Sequence, residues 1–241
     1  MEWEGSIARI ASVLAEAAAE TLWPTRCALC DTPGAVLCER CRFNLPYIDR
    51  WRACPHCGSP YGLVQCDVCN PISLGRLGIE RFPFDACASA VHFSGATGQI
   101  VRVFKEQGEQ RLAQDLASIM HSMQPPTWDF EAITFVPATL SALRSRGFDH
   151  AELMATALAS LLDVECVPAL ERPRTRDQRK LGAAARIANL SGSFSPKRGL
   201  RHESWLLVDD VFTTGATMCA ASQALRSAGA RRVSCLSFAR V

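Results

Sequence analysis

The chain has almost no excess of charge of either sign: 26 Lys and Arg stand against 24 Asp and Glu in 241 residues, a formal net charge of +2. That balance gives no global argument for a nucleic-acid partner, so any such contact must rest on a local patch. No run approaches the ~18 consecutive apolar residues that a transmembrane helix needs, and no membrane span is expected. The basic flank of a secretory signal is also missing, because Glu2 and Glu4 stand in its place and the apolar residues recur at helical spacing. These absences predict a cytoplasmic protein. Outside one cysteine-rich block there is no internal repeat and no low-complexity tract. There is neither the Gly-Lys-Ser/Thr of a Walker loop nor the three spaced glycines of a dinucleotide fingerprint.

Cysteine is abundant and unevenly placed. Eight of the twelve cysteines lie between residues 27 and 69, as four Cys-x-x-Cys pairs: Cys27 and Cys30, Cys38 and Cys41, Cys54 and Cys57, Cys66 and Cys69. Without an export signal such a block points to metal rather than to disulfides. Each pair places two thiolates on one side of a tight knuckle, and two knuckles complete the four sulfurs of a closed tetrahedral site, so eight sulfurs imply two structural Zn²⁺. The short gaps favour sequential pairing of the first four and the last four, although an interleaved arrangement satisfies the same count. The metals would staple a stretch too small to fold on its own core; a docking module for nucleic acid or protein is the alternative use. Cys87, Cys166, Cys219 and Cys235 lie in apolar runs and are expected in the core.

Three regions follow from the patterning: residues 1–24, with a helix over 5–22 that stops at Trp23-Pro24; a double zinc ribbon over 25–72; and a larger domain over 85–241. In the last, "CASAVHF", "AITFVPA", "VECVPAL", "WLLVDD" and "RRVSCLSFA" read as strands. They alternate with helical stretches, two of them split near Gly108, then "AELMATALASLLD" and "TMCAASQALRSAG". Alternation of this kind predicts an α/β fold with a largely parallel sheet covered on both faces. A long stretch between Glu171 and His202 has weak periodicity and holds nine Arg or Lys against two acids. Loops of that length in a compact domain are functional or disordered.

The stretch "LLVDDVFTTGATM", residues 206–218, drives an apolar strand into two adjacent acids and then into a loop with little side-chain bulk. A parallel strand ending at Asp209-Asp210 brings both carboxylates to the carboxyl edge of the sheet, where ligands of α/β folds bind. The small loop lets a phosphate approach the backbone, and a helix beginning near Ala216 presents unpaired N–H groups to an anion. Thr213, Thr214 and Thr217 add hydroxyls. The pattern suits a sugar phosphate, with amides around the phosphate and the two acids on ribose hydroxyls, directly or through Mg²⁺.

This stretch resembles the 5-phosphoribosyl-1-pyrophosphate (PRPP) motif of type I phosphoribosyltransferases. With "LWPTRCALC", "VFKEQGE" at 103–109, "VPATLSALRSRGFDHAELMA" at 136–155 and "RTRDQRKLGAAARIANLSGSF" at 174–194, nearly the whole chain resembles the ComF family, double-zinc-ribbon proteins with a phosphoribosyltransferase domain that are associated in some bacteria with natural competence. The resemblance implies a parallel-sheet type I phosphoribosyltransferase fold that binds PRPP, or a related phosphoribosyl compound, with Mg²⁺. Turnover would make it a glycosyltransferase. Asp209 and Asp210 take the catalytic positions, and Val211, Phe212, Thr213, Thr214, Gly215, Ala216 and Thr217 form the ligand loop. Arg144, Arg146 and Gly147 would lie near a pyrophosphate. Arg174, Gln178, Arg186 and Asn189 match positions of a basic hood over the site. The Asn-Gln usual after "RGF" is here Asp149-His150, which adds an acid beside that loop. No residue is recognisable as a nucleobase reader, and no nucleophilic cysteine stands at residue 2. A second reading is a non-catalytic factor in which zinc ribbons and the basic stretch engage single-stranded DNA or a competence helicase.

Overall fold

The computed structural model describes residues 24–76, 78–172 and 193–241. The expected N-terminal helix over 5–22 and the hood positions Arg174, Gln178, Arg186 and Asn189 lie outside the described residues. The chain divides into two compact units, 1–45 and 46–241, a boundary that falls between the two cysteine tetrads.

In the first unit the chain turns tightly at the first pair, where Cys27 N–H donates to Thr32 O at 2.9 Å and Asp31 adopts a left-handed conformation. In the second pair, Cys38 precedes the short helix α1 (Glu39–Phe43) at the N-cap position and Cys41 lies within it.

The second unit contains a five-stranded sheet. Its strands are β1 (Ala86–His92), β2 (Ala132–Phe135), β3 (Glu165–Cys166), β6 (Ser204–Phe212) and β7 (Arg232–Arg240), in the order β1-β7-β6-β2-β3, and every neighbouring pair is parallel. The expected parallel α/β architecture is therefore present. Between these strands run α3 (Gly95–Glu106), α4 (Leu112–Met123), α5 (Leu140–Arg146), α6 (His150–Leu162) and α7 (Ala216–Ser227), while α2 (Pro71–Arg76) follows the second tetrad. A capping box between Ser94 and Thr97 starts α3, satisfying amides that an uncapped helix would leave to water. "VECVPAL" divides into two short strands: β3 in the main sheet, and β4 (Leu170–Glu171), which pairs antiparallel with β5 (Ser195–Pro196).

Side chains alternate across the sheet. Trp205 and Leu207 of β6 and Val233 and Cys235 of β7 pack with Met218, Cys219, Ala221 and Leu225 of α7. Cys87, Cys219 and Cys235 are buried, as their apolar context predicts, whereas Cys166 is only partly so. α4 and α6 pack against each other and against the strands, contributing fully buried Leu112, Leu116, Ile119, Met120, Met154 and Leu158. Each such side chain contributes roughly 1.5–3 kcal/mol by leaving water. Among the described residues no helix is long and apolar enough to cross a membrane.

The second tetrad shares the core of this unit. Cys54 and Cys57 pack in the same buried cluster as Cys87 of β1, and buried Arg240 donates to Cys57 O at 2.7 Å. Gly58 follows Cys57 at φ +69°, and a Cβ there would stand 2.7 Å from Cys87 O, so only glycine fits this approach of the knuckle to the sheet.

One expectation needs correction. The strand carrying the two acids does not end at Asp210 but continues through Phe212, with Asp209 beside Ser237 and Phe212 beside Arg240 in the ladder. The cause lies in β7, which is equally long; its Arg240 guanidinium stacks 4.2 Å from the Phe212 ring centroid and thereby buries the end of the pair.

Candidate functional site

β2 and β6 are neighbours in the sheet, and the chain leaves their carboxyl ends in opposite senses. After β2 it runs through α5 and α6 to β3 on one side; after β6 it runs through α7 to β7 on the other. Such a switch of direction opens a crevice outside the carboxyl edge of an open α/β sheet. Both loops that the sequence marks converge there.

The loop after β6 consists of Thr213, Thr214 and Gly215. Gly215 sits at φ +77°, and a Cβ on it would come within 2.6 Å of Cζ of buried Phe212. The glycine is thus required twice, by the left-handed turn and by the ring beneath it. Thr213 is exposed, Thr214 and Thr217 are half-buried, and Ala216 is buried at the start of α7. No threonine side chain caps α7 at its N-cap position; Thr214 Oγ1 accepts from Ala216 N–H at 3.4 Å. The first turn of α7 presents its amides and the positive end of the helix dipole at this edge. Val211 is half-buried in the strand, and the Phe212 ring lies under the loop rather than on it.

The loop after β2 is closed by Asp149. Its Oδ2 accepts from Ala138 N–H at 2.7 Å, and its Oδ1 accepts from Ala151 N–H at 3.0 Å and Glu152 N–H at 3.4 Å. The acid that stands out beside the loop in the sequence is therefore a buried N-cap of α6 whose charge is met by three backbone amides. Arg144 is exposed on α5, Gly147 ends that helix at φ +80°, and Arg146 Nη1 lies 3.3 Å from His150 Nδ1.

Asp209 and Asp210 are successive residues of β6, and both are buried. Asp209 Oδ1 accepts from Asp210 N–H at 2.9 Å. Burial, reinforced by the charge of Asp210, raises the Asp209 carboxyl well above the ordinary carboxylate range. Burial also works against ionisation of Asp210, but contacts with His150 and the Lys105 ammonium outweigh it and hold that carboxyl low. Lys105, from the last turn of α3, makes an ion pair with Asp210 Oδ2, and His150 Nε2 lies 3.5 Å from Asp210 Oδ1. Lys105 and His150 are the members of the cluster whose contact with Asp210 no spacing in the sequence could reveal. Their signals were indirect: Lys105 sits in the "VFKEQGE" segment, and His150 is half of the Asp-His pair.

Arg172 adds a further cation. Burial pulls its pKa down while the charges of Asp209 and Asp149 work against that, and its guanidinium stacks 4.7 Å from the Phe194 ring centroid. The β4–β5 pair beside it ties together the two ends of the basic stretch, with Leu170 opposite Pro196.

The cysteines group sequentially. Cys27, Cys30, Cys38 and Cys41 form one tetrad and Cys54, Cys57, Cys66 and Cys69 the other, each with sulfurs within 4.8 Å of one another. Cys30 and Cys38 Sγ are 3.6 Å apart, and Cys54–Cys69 and Cys57–Cys66 are each 3.5 Å apart. A tetrahedral site with Zn–S near 2.3 Å needs sulfurs about 3.8 Å apart, so both donor sets fit a four-sulfur metal site.

The sequence profile of the phosphoribosyl transferase domain matches residues 143–241. That span carries the loop of β6 and α6, so the parallel-sheet unit contains a phosphoribosyltransferase domain. The chain is 27% identical to competence protein F of Haemophilus influenzae over 85% of its own length and 90% of that protein. It is 26% identical to competence protein ComFC of Bacillus subtilis, over 82% of this chain and 80% of that one. With the DNA utilization protein YhgH of Salmonella typhi it shares 26% identity over 87% of this chain and 94% of the relative. With two cysteine tetrads ahead of a phosphoribosyltransferase domain, the chain is similar to these competence and DNA utilization proteins over most of their length.

The two acids are expected to affect stability in opposite directions. A carboxyl whose folded pKa is raised costs stability above its unfolded value and nothing below it. Asp209→Asn is therefore expected to stabilise the protein without added ligand or divalent metal at pH 7 by about 1 kcal/mol or more. The gain should vanish below about pH 4, where the unfolded carboxyl is also protonated. Asp210→Asn leaves Lys105 without its counter-charge and should cost roughly 3 kcal/mol. Urea denaturation of the two variants between pH 4 and pH 7 checks both signs.

Proposed function

We propose that the protein binds PRPP, or a related phosphoribosyl compound, together with Mg²⁺ in the crevice between the loops of β2 and β6. The observation that carries this reading is the order of parts along one strand: two buried acids, a left-handed glycine over a buried ring, and the first turn of a twelve-residue helix. In this reading the amides of Thr213–Thr217 hold the 5′-phosphate, and Asp209 and Asp210 meet the ribose hydroxyls. Arg144 and Arg146, from α5, stand on the pyrophosphate side. The donors His150, Asp209 and Asp210, within 4.8 Å of one another, suit a divalent cation. When bound, Mg²⁺ would supply charge neutralisation for the leaving pyrophosphate. Phosphoribosyl transfer develops positive charge on the sugar as pyrophosphate departs, a separation that fixed carboxylates and arginines stabilise. The arrangement supports ligand binding more directly than turnover, because no described residue is identified as reading a nucleobase.

A second reading is favoured by a different part of the surface. Trp51 and Tyr61, beside and within the second tetrad, are 73% and 65% exposed, and each carries an arginine over its ring, Arg50 at 4.8 Å and Arg52 at 4.6 Å. Exposed aromatics with cationic neighbours are what single-stranded nucleic acid stacks on. The names of the relatives, which concern competence and DNA utilization, agree with a role in DNA handling.

Saturating PRPP with Mg²⁺ is expected to raise the melting temperature by roughly 5 °C or more at a hundredfold excess over Kd, and the Asp209→Asn/Asp210→Asn double variant should show no shift. No shift for the native protein, together with salt-dependent binding to oligonucleotides, would reject the ligand reading in favour of the second. For the metal sites, elemental analysis is expected to find close to two zinc per chain, one for each tetrad. Zinc-free protein with paired disulfides would contradict that assignment.

A further inference from the structure

We propose that Lys105 is a tethered cation that occupies, in the ligand-free protein, the place a divalent metal takes on the His150–Asp209–Asp210 cluster. The proposal rests on the phosphoribosyl reading for what displaces Lys105, but not for the contact itself. The three side chains offer two carboxylate oxygens and one imidazole nitrogen, all within 4.8 Å of one another, and all three residues are buried. Such a set suits a divalent cation that accepts both oxygen and nitrogen donors. Into it projects one ammonium, paired with Asp210 Oδ2.

Two features make Lys105 a replaceable occupant rather than a fixed strut. Its side chain remains 22% exposed while Asp210 is 7% exposed, so the lysine reaches the cluster from the solvent side and has a path back to it. It also stands one residue from the end of α3, ahead of Gly108 at φ +75°, on a long flexible stem that can swing without disturbing the helix. A single positive charge matches one carboxylate; a dication matches two. A phosphoribosyl compound supplies what is needed for an exchange, because its phosphates offer the displaced ammonium a new partner while its metal takes the acids. The free metal, which brings no such partner, must compete with Lys105 directly. Metal and ligand should therefore arrive together.

The test uses zinc-loaded full-length protein and Mn²⁺ alone, followed by loss of the free-ion electron paramagnetic resonance signal, with no phosphoribosyl compound present. Lys105→Met is expected to bind one Mn²⁺ roughly tenfold or more tighter than the native protein, since one competing unit charge has left a partly buried site. Lys105→Arg should stay near native. Adding Asp210→Asn to Lys105→Met should remove the gain, which locates the ion. Mn²⁺ should also raise the melting temperature of Lys105→Met more than that of the native protein, an effect that a purely structural ion pair does not produce. Lys105→Gln gives the same comparison should Lys105→Met not fold. Equal Mn²⁺ affinity in the native, methionine and glutamine proteins would overturn the proposal. Because PRPP is absent, that result is independent of whether the ligand reading survives.

Discussion

A carboxylate taken out of water at the end of a central strand must be met by a cation, and in this protein the Asp210–Lys105 pair meets that requirement. Asp210 is anchored in β6 just beyond its pairing with β2 and alongside β7, so its position is set by the sheet; Lys105 comes from the last turn of α3, more than a hundred residues earlier. His150, the first residue of α6, closes the same cluster from the loop of β2. Three separate crossovers therefore meet at one charged group. The arrangement of the crevice depends on that convergence more than on any single loop.

The rest of the site follows from strand order. With β6 between β7 and β2, α7 leaves toward one face and α6 covers the other. The crevice lies where these directions part. The second cysteine tetrad is tied to the same sheet, through Arg240, which donates to Cys57 O and stacks on Phe212 beneath Gly215. The knuckle and the Thr213–Gly215 loop thus share one buried arginine. A disturbance of the second cysteine tetrad has a short physical route to that loop.

Much of this was legible in the sequence, for reasons that differ by residue. "LLVDDVFTTGATM" was readable because its logic is local: apolar strand, acids, a glycine, then a helix start, each within a few residues of the next. The four Cys-x-x-Cys pairs were readable because metal geometry constrains spacing. The strand runs two residues beyond its acids, since what prolongs β6 is pairing with β7 and the stacking of Arg240, which lie far along the chain. Asp149 read as a stray acid beside an anion loop because its three amide donors come from two separate segments. Lys105 could not be assigned to Asp210 at all, because no periodicity or spacing links the end of one helix to a strand so distant in sequence.

The central claim is that the loop from Thr213 to Thr217 grips a phosphate. Hydrogen exchange of the native protein with and without PRPP and Mg²⁺ addresses it directly, peptide by peptide. The account predicts that the ligand slows exchange of the amides at the start of α7 more than anywhere else in the 46–241 unit. Unchanged exchange there, with any protection confined to the Trp51–Tyr61 surface, would contradict it.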